Sequence, residues 1–223
     1  MPDGQYSFYL HSDDRTDIAA MATINTISQP LRGEFIRTAA TAGAVVYQVD
    51  ARLPALIPVF FAGQLSAVRF CAVMALVSGT WSSLTGLPDE PENGGAALPV
   101  SPETEYQRRR YTLTLQNGRS GERVESVLTE ASSRLRGDLL RNLIITGLAL
   151  HTTAPELPRL LASMPVPPTS VSELQALVQQ MAGTADVNRA AAAVPDTPAA
   201  SAAPVSGADT REIKKNMRRA FGD

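Results

Sequence analysis

The sequence contains too little cysteine and histidine to build a disulfide framework or a metal cluster. Its 223 residues include one cysteine, Cys71, and two histidines, whereas a disulfide needs two cysteines and a structural zinc site four Cys or His ligands. Lysine is nearly absent too, since both lysines stand at 214 and 215. A single thiol is typical of the reducing cytoplasm. We therefore expect a cytoplasmic protein that holds no metal and no cofactor.

Signals for secretion or membrane insertion are also missing. The first ten residues, "MPDGQYSFYL", lack the basic and apolar regions of a signal peptide. Residues 53–87 are rich in apolar side chains, but Arg69, Pro54 and Pro58 interrupt them. A membrane span is the alternative for this stretch, and a pair of buried helices is the preferred interpretation. We expect no membrane partner.

Motifs of catalysis are lacking as well. We find no paired catalytic acids in a recognisable setting, no glycine-rich phosphate loop and no nucleophile elbow. His11, His151 and Cys71 are best interpreted as structural or incidental. The sequence therefore predicts a protein that is not an enzyme and has no catalytic residue.

Positive charge is concentrated in one part of the chain. The net charge of −2 is not typical of a nucleic-acid-binding protein, yet nine arginines lie between 108 and 159, including the run Arg108–Arg110. The first 50 residues are mildly acidic by comparison. Local positive charge is what meets a phosphate backbone.

A repeated segment organises the chain. "LRGEFIRTAATAG" at 31–43 recurs in similar spelling as "LRGDLLRNLIITG" at 135–147, and "YSFYL" at 6–10 corresponds to "YTLTL" at 111–115. The offset is 104 or 105 residues throughout, which indicates a tandem duplication.

Each copy predicts a strand followed by two helices. Apolar residues alternate in strands 6–10 and 111–115, and the first helices are expected at 14–27 and 120–131. Second helices are expected from Ser28 and Ser132 to about Val49 and Thr152, with the serines as N-caps. Further helices are predicted over 60–78 and over 170–182, the latter opened by a capping box of Ser170 and Glu173.

These elements divide the chain into five parts. The predicted parts are the first copy with its apolar helices (1–87), a Pro/Gly/Glu-rich linker (88–107), the second copy with a capping helix (108–183), a disordered Ala/Pro linker (184–209) and an amphipathic tail (210–223). The tail combines an apolar stripe with basic residues, as expected of a segment that docks on a partner. Its candidate docking residues are Ile213, Lys214, Lys215, Met217, Arg218 and Phe221.

One strand in each copy favours pairing between the copies. A lone strand leaves its backbone groups unpaired, so we expect strands 6–10 and 111–115 to form an antiparallel ribbon over the four helices. The predicted fold class is mainly α, a tandem ribbon-helix-helix, and the ribbon of such proteins lies in the DNA major groove. The outward side chains, expected to contact bases, are Ser7, Tyr9, His11, Thr112, Thr114 and Gln116.

The beginnings of the second helices are expected to approach backbone phosphates. Free N–H groups at a helix N-terminus favour an anion, and glycine permits close approach. Surface salt bridges to Glu34 and Asp138 are the competing interpretation for the arginines there. The candidate phosphate contacts are Arg32, Gly33, Arg37, Arg108, Arg109, Arg110, Arg136, Gly137 and Arg141.

The copies and the tail resemble a known family. "RGEFIRTAATAGAVVY" (32–47), "RGDLLRNLIITGLALH" (136–151) and "TREIKKNMRRAF" (210–221) resemble segments of ParR, the centromere-binding adaptor of actin-type plasmid partition systems. The resemblance covers about 1–60, 108–164 and 210–222, and this chain departs from it in carrying two copies. It implies binding to centromere-like repeats in double-stranded plasmid DNA, self-association on that DNA, and docking of the tail on an actin-like ParM-type filament.

Two other functions remain open. A ribbon-helix-helix repressor or antitoxin has the same core with a tail that binds a toxin or another partner, and a neighbouring toxin gene would indicate it. A structural interaction protein without a DNA role is compatible with the net charge. The sequence leaves the recognised DNA, the number of repeats, the filament partner, autorepression and pairing within or between chains undetermined.

Overall fold

The computed structural model of the chain describes residues 4–80 and 107–192, with side chains through 183. Two strands and eight helices follow in the order β1 (Gln5–His11), α1 (Arg15–Thr26), α2 (Arg32–Val49), α3 (Leu53–Phe60), α4 (Ala67–Ser78), β2 (Arg108–Thr114), α5 (Arg119–Glu130), α6 (Arg136–Thr153), α7 (Leu157–Ser163) and α8 (Val171–Ala192). Most of the expected linker (88–106) and the whole tail (210–223) lie outside the described residues. These described ranges are mainly helical and contain one small antiparallel sheet, as expected.

The element order of the first half recurs in the second. Each half begins with a strand of 7 residues, followed by helices of 12 and 18 residues. A short helix that opens with Leu-Pro comes next in both. The chain divides into two units, residues 1–185 and 186–223, and the following description concerns the first.

The two strands pair within the single chain. They are antiparallel, with Ser7 opposite Thr112, Gln5 opposite Thr114 and His11 opposite Arg108. The expected ribbon is therefore confirmed. The boundaries of the second strand differ from the expected 111–115, because β2 starts three residues earlier and includes the arginine run.

The second helices begin later than the sequence indicated. Ser28 makes no side-chain capping hydrogen bond, and the residues after it form a short 3-10 turn (Gln29–Leu31) before α2 starts. In the second half α6 starts at Arg136, with Leu135 at its N-cap. The prediction that Ser28 and Ser132 cap these helices is wrong, because the chain turns once more before it becomes α-helical. The first-turn N–H groups of α2 and α6 consequently have no side-chain cap.

The apolar stretch 53–78 contains a pair of helices, as expected, but the helix expected over 60–78 begins only at Ala67. Helix α3 ends at Phe60 soon after Pro58, and Phe61 is extended. Gly63 then adopts φ 97°, in the left-handed region that glycine tolerates, and Ser66 caps α4 through the Arg69 amide. No helix among the described residues is long and apolar enough to cross a bilayer.

Helix α8 is longer than predicted. It runs to Ala192, so the expectation of disorder is wrong for 184–192. The predicted capping box is half formed, since the Ser170 hydroxyl accepts from the Glu173 amide at 3.2 Å. The Glu173 carboxylate accepts instead from the Thr169 amide at 2.8 Å.

The core forms where α2 crosses α6 beneath the ribbon. Gly43 faces the backbone of Leu143, and Gly147 faces the backbone of Ala39, so closely that a Cβ on either glycine would overlap the other helix. Phe8 of β1 reaches this core from the ribbon and is fully buried. The crossing thus holds the ribbon on one side of a continuous apolar interior.

Candidate nucleic-acid interface

Alternation along the ribbon separates a buried face from an outward face. Phe8, Leu10 and Leu113 are buried, and Leu115 just after β2 is buried too. The intervening side chains point outward, and they are Gln5, Ser7, Tyr9 and His11 on β1 and Arg108, Arg110, Thr112 and Thr114 on β2. We call these eight residues the ribbon face. The expected orientation of the strands is confirmed, although Gln116 lies beyond the end of β2.

Two arginines lie flat on the ribbon face. The guanidinium carbon of Arg108 is 3.5 Å from the centroid of the Tyr9 ring, a cation–π contact. Arg110 donates to the Ser7 hydroxyl from Nε at 3.2 Å and from Nη2 at 3.0 Å. Among the described residues, neither guanidinium forms an ion pair. Their charge is therefore available to a ligand that approaches the face.

Arg109 lies on the opposite side of β2. Its guanidinium carbon is 5.2 Å from the Tyr111 ring, and that ring stacks on buried Phe8. Burial raises the pKa of Tyr111, while the charges of Arg109 and Arg32 lower it in part. The arginine run is therefore split, with one guanidinium on the Tyr111 side of β2 and two on the ribbon face.

The beginning of α6 lies against the ribbon. A Cβ built on Gly137 would be 3.4 Å from the Ser7 carbonyl oxygen, an ordinary van der Waals contact. The first residues of α2 and α6 are both arginines, and each donates a hydrogen bond to the backbone carbonyl at the C-cap of the preceding helix. Arg32 donates from Nε to the Ile27 carbonyl at 2.8 Å, and Arg136 donates in the same way to the Ala131 carbonyl at 3.2 Å. This shared contact fixes both guanidiniums near uncapped helix N-termini.

Arg141 is engaged in a contact between the two halves. Its Nε donates to Asp17 at 2.6 Å, its Nη2 to Asp14 at 3.1 Å and its Nη1 to Asn142 at 3.2 Å. The surrounding open depression, about 440 Å³, is also lined by Asp13 and Asp138. All three guanidinium nitrogens of Arg141 are bonded and the surroundings are acidic. Arg141 is therefore not among the phosphate contacts proposed below.

Arg37, the counterpart of Arg141, is bonded to a nearer partner. Its Nε and Nη2 donate to the Glu34 carboxylate at 3.1 and 2.6 Å. This is the salt bridge to Glu34 that was expected as the alternative to a phosphate contact for Arg37. Gly33 stays exposed at the first turn of α2, with space around it.

The chain matches the family model described as "Plasmid stability protein" over residues 4–74 and 109–178. The chain belongs to this family. Membership indicates a role in plasmid maintenance. No curated protein and no solved structure matches the chain. In this plasmid stability protein the matched stretches contain β1, all of β2 except Arg108, and the long helices α2 and α6.

Two basic residues of this plasmid stability protein, Arg119 and Arg123, were not among the candidates selected from the sequence. Arg119 opens α5 after Gly118, whose φ is 134°, and Arg123 follows one turn later. Nη1 of Arg123 is buried and lacks a hydrogen-bond partner among the described residues. Burial lowers the pKa of Arg123, and the charge of Arg119 lowers it further. The signal was present in the sequence, because the two arginines are spaced i, i+4; by helix position Arg119 corresponds to Arg15 of the first copy and Arg123 to Ala19.

The remaining predicted positions fall outside the interface that the structure describes. The docking residues of the tail, from Ile213 to Phe221, lie outside the described residues. Within the described ranges no group of His, Cys, Asp and Glu side chains is arranged to hold a metal ion.

Proposed function

We propose that the chain is the DNA-binding adaptor of a plasmid partition system. In this proposal the two copies form a tandem ribbon-helix-helix unit whose ribbon face enters the major groove of centromere-like repeats. The C-terminal segment then links the DNA to an actin-like filament. The observation that carries the proposal is the ribbon face, a row of exposed and half-buried side chains that are hydrogen-bonding or cationic and include no carboxylate.

The chemistry of the ribbon face suits base edges. The major groove admits a two-stranded ribbon, and each base pair presents a distinct pattern of donors and acceptors there. Ser7, Thr112 and Thr114 supply short hydroxyls near the middle and one end of the ribbon. Tyr9 and His11 with the two outward arginines supply larger groups at the other end. A surface of this kind serves direct readout of sequence.

Phosphates are expected on both sides of the ribbon. The first turns of α2 and α6 have no side-chain cap, and the N–H groups at a helix N-terminus favour an anion. Gly33 and Gly137 permit close approach there, and Arg32 and Arg136 add positive charge. Arg109 and Arg119 extend this basic border. Such contacts would position the protein, while the ribbon specifies the site.

The filament link is proposed from the tail. Residues 211–222 carry an apolar stripe on a basic background, and the resemblance to ParR assigns such a segment to the end of an actin-like filament. Many tails gathered on one array of repeats would act at high effective concentration, so each contact can be weak. Nucleotide hydrolysis would belong to the filament protein, and this chain would perform no catalysis.

A salt titration tests DNA binding. The full chain is titrated onto duplex fragments of its own plasmid at 50–200 mM salt, and fluorescence anisotropy reports affinity. If phosphates are contacted, log K falls linearly with log salt. Arg109→Gln should reduce the slope by about one, whereas Arg159→Gln, the same charge change at an exposed position of α7, should leave it unchanged. An absent or salt-independent response would contradict every DNA-binding function.

Deletion of residues 211–223 tests the division of labour. We expect unchanged DNA affinity and complete loss of co-sedimentation with the filament protein. Loss of both activities together would contradict the proposed separation. Retention of DNA binding with capture of a toxin instead of a filament would favour the repressor or antitoxin.

A further inference from the structure

The two ends of the ribbon face differ in chemistry. At the β1 C-terminal end lie Tyr9 and His11 opposite Arg110 and Arg108. At the other end Gln5 lies opposite Thr114, with no charged side chain between them. The ribbon is thus cationic and aromatic at one end and neutral at the other.

We propose that Arg108 and Arg110 read guanine bases, so that the ribbon binds a non-palindromic duplex site in a single orientation. In this arrangement the guanines contact the end of the ribbon that carries Arg108 and Arg110. The end that carries Thr114 contacts bases through neutral side chains. This inference rests on the proposed DNA-binding function. It changes the assignment of Arg108 and Arg110 from phosphate contacts to specificity-determining residues.

The two ends of the ribbon differ in their side chains and not in their backbone pairing, as the pairing at the centre of the ribbon shows. Ser7 and Thr112 are equivalent residues at an offset of 105, and they stand directly opposite each other. The backbone pairing is therefore related by an approximate two-fold axis between them. Under this relation Arg110 corresponds to Gln5, and in the sequence Arg108 corresponds to Asp3, which is outside the described residues. A symmetric backbone thus presents two different half-sites.

Both guanidiniums are held in place on the outward face before any ligand binds. The Tyr9 ring supports Arg108, and the Ser7 hydroxyl accepts two hydrogen bonds from Arg110. A planar guanidinium donates two parallel hydrogen bonds to the O6 and N7 of guanine in the major groove. Because Arg109 alternates to the other side of β2, its guanidinium is excluded from the base edges and is left for a phosphate.

Selection from randomised duplexes tests the inference with the full chain. We compare the wild type with Arg108→Gln, Arg110→Gln and the matched control Arg109→Gln, which removes the same charge from the neighbouring position. The wild type should select a motif with guanines in one half only. Each ribbon-face variant should lose preference for its guanine by about 5- to 150-fold. Arg109→Gln should weaken all sequences alike and leave the motif unchanged.

A modified base tests the contact itself. Replacing a selected guanine by 7-deazaguanine removes the N7 acceptor and should weaken wild-type binding by about tenfold. The same replacement should cost the matching arginine variant nothing further, because its contact is already lost. Circular dichroism confirms that the variants are folded, which is expected for exposed side chains.

The outcomes separate this inference from the proposed function. Salt-sensitive binding to a palindromic motif, or a motif without guanine, would overturn the inference and leave DNA binding intact. An Arg109→Gln variant that alters the motif as Arg110→Gln does would also overturn it. If the wild type shows no salt-sensitive binding to duplex DNA, the proposed function fails and the inference fails with it.

Discussion

Gly43 of α2 and Gly147 of α6 occupy equivalent positions, and each packs directly against the backbone of the opposite helix. Gly43 meets Leu143, and Gly147 meets Ala39, with no room for a side chain at either place. Helices approach this closely only where a Cβ is missing. The repeated glycine of the sequence therefore determines the distance between the two halves beneath the ribbon.

Replacing Gly147 by Ala should lower the free energy of unfolding. The added Cβ overlaps the backbone at Ala39, and overpacking of this kind costs about 1–3 kcal/mol. Better helix propensity returns at most about 1 kcal/mol. Because the overlap is with backbone, which cannot move aside as a flexible side chain can, we expect a cost at the upper end of the range and a net loss of about 2 kcal/mol in urea unfolding. Gly183→Ala in α8 is the matched control, since nothing lies near its Cβ position. Equal stability of Gly147→Ala and wild type would show that the crossing is loose.

Replacing Asp17 by Ala should destabilise the fold strongly. The Asp17 side chain is only 1% exposed and pairs with Arg141, which is 19% exposed, and it also accepts from the His11 amide at 2.9 Å. Removing Asp17 leaves the partly buried Arg141 with Asp14 as its remaining ionic partner and leaves the His11 amide without its acceptor, which together cost about 3 kcal/mol. The exposed Arg37–Glu34 pair provides the comparison, because Glu34→Ala should cost less than about 1 kcal/mol. Similar losses in urea unfolding for both variants would contradict this difference.

The ribbon could be predicted from the sequence because its signal is local. Alternation in "YSFYL" and "YTLTL" gives the buried and outward faces, and one strand in each copy makes pairing the simplest arrangement. The first helices were likewise predicted to within a residue or two. The alternation of a strand and the periodicity of a short helix depend mainly on residues that are close in sequence. Tertiary contacts therefore changed the boundaries of these elements little.

Other features depend on distant residues and were not predictable. Asp17 and Arg141 are 124 positions apart, so no spacing rule could pair them. The alternative partner for Arg141, Asp138, was suggested by sequence proximity alone. Arg108–Arg110 were given one shared role, phosphate contact, because β2 was expected to start after them. Extending the strand by three residues alternates their directions and gives them different surroundings.

Glu173 gives the start of α8 a pH-dependent cap. The backbone amide of Thr169, together with its hydroxyl, donates to the carboxylate and holds the pKa of Glu173 below its ordinary value of 4.5. A lowered carboxyl pKa means that the cap stabilises the helix above pH 4.5 and is lost as the pH falls through the lower folded value. The Thr169 amide resonance should therefore titrate with a midpoint below 4.5. Glu173→Gln should abolish this transition, and a midpoint at or above 4.5 in the wild type would contradict the contact.

Replacing Thr112 and Thr114 together by Ala should reduce sequence discrimination. Both side chains are exposed on the ribbon face, and each base contact is worth about 1–3 kcal/mol of discrimination. Binding to unrelated DNA should change little, because phosphate contacts are retained. Thr129→Ala, at an exposed position near the end of α5, is the control. Competition binding with specific and unrelated duplexes measures the ratio, and an unchanged ratio would mean that the ribbon does not read the sequence.

Disulfide crosslinking to DNA tests the central claim most directly, since it reports which surface lies in the groove. Ser7→Cys and Thr112→Cys are mixed with the selected duplex carrying a thiol tether on a cytosine N4, which projects into the major groove. The natural Cys71 is buried and gives little background, and Ser163→Cys, at the exposed end of α7, is the control. The account predicts rapid crosslinking at 7 and 112 and little at 163. Crosslinking at 163 with none at either ribbon position would contradict it.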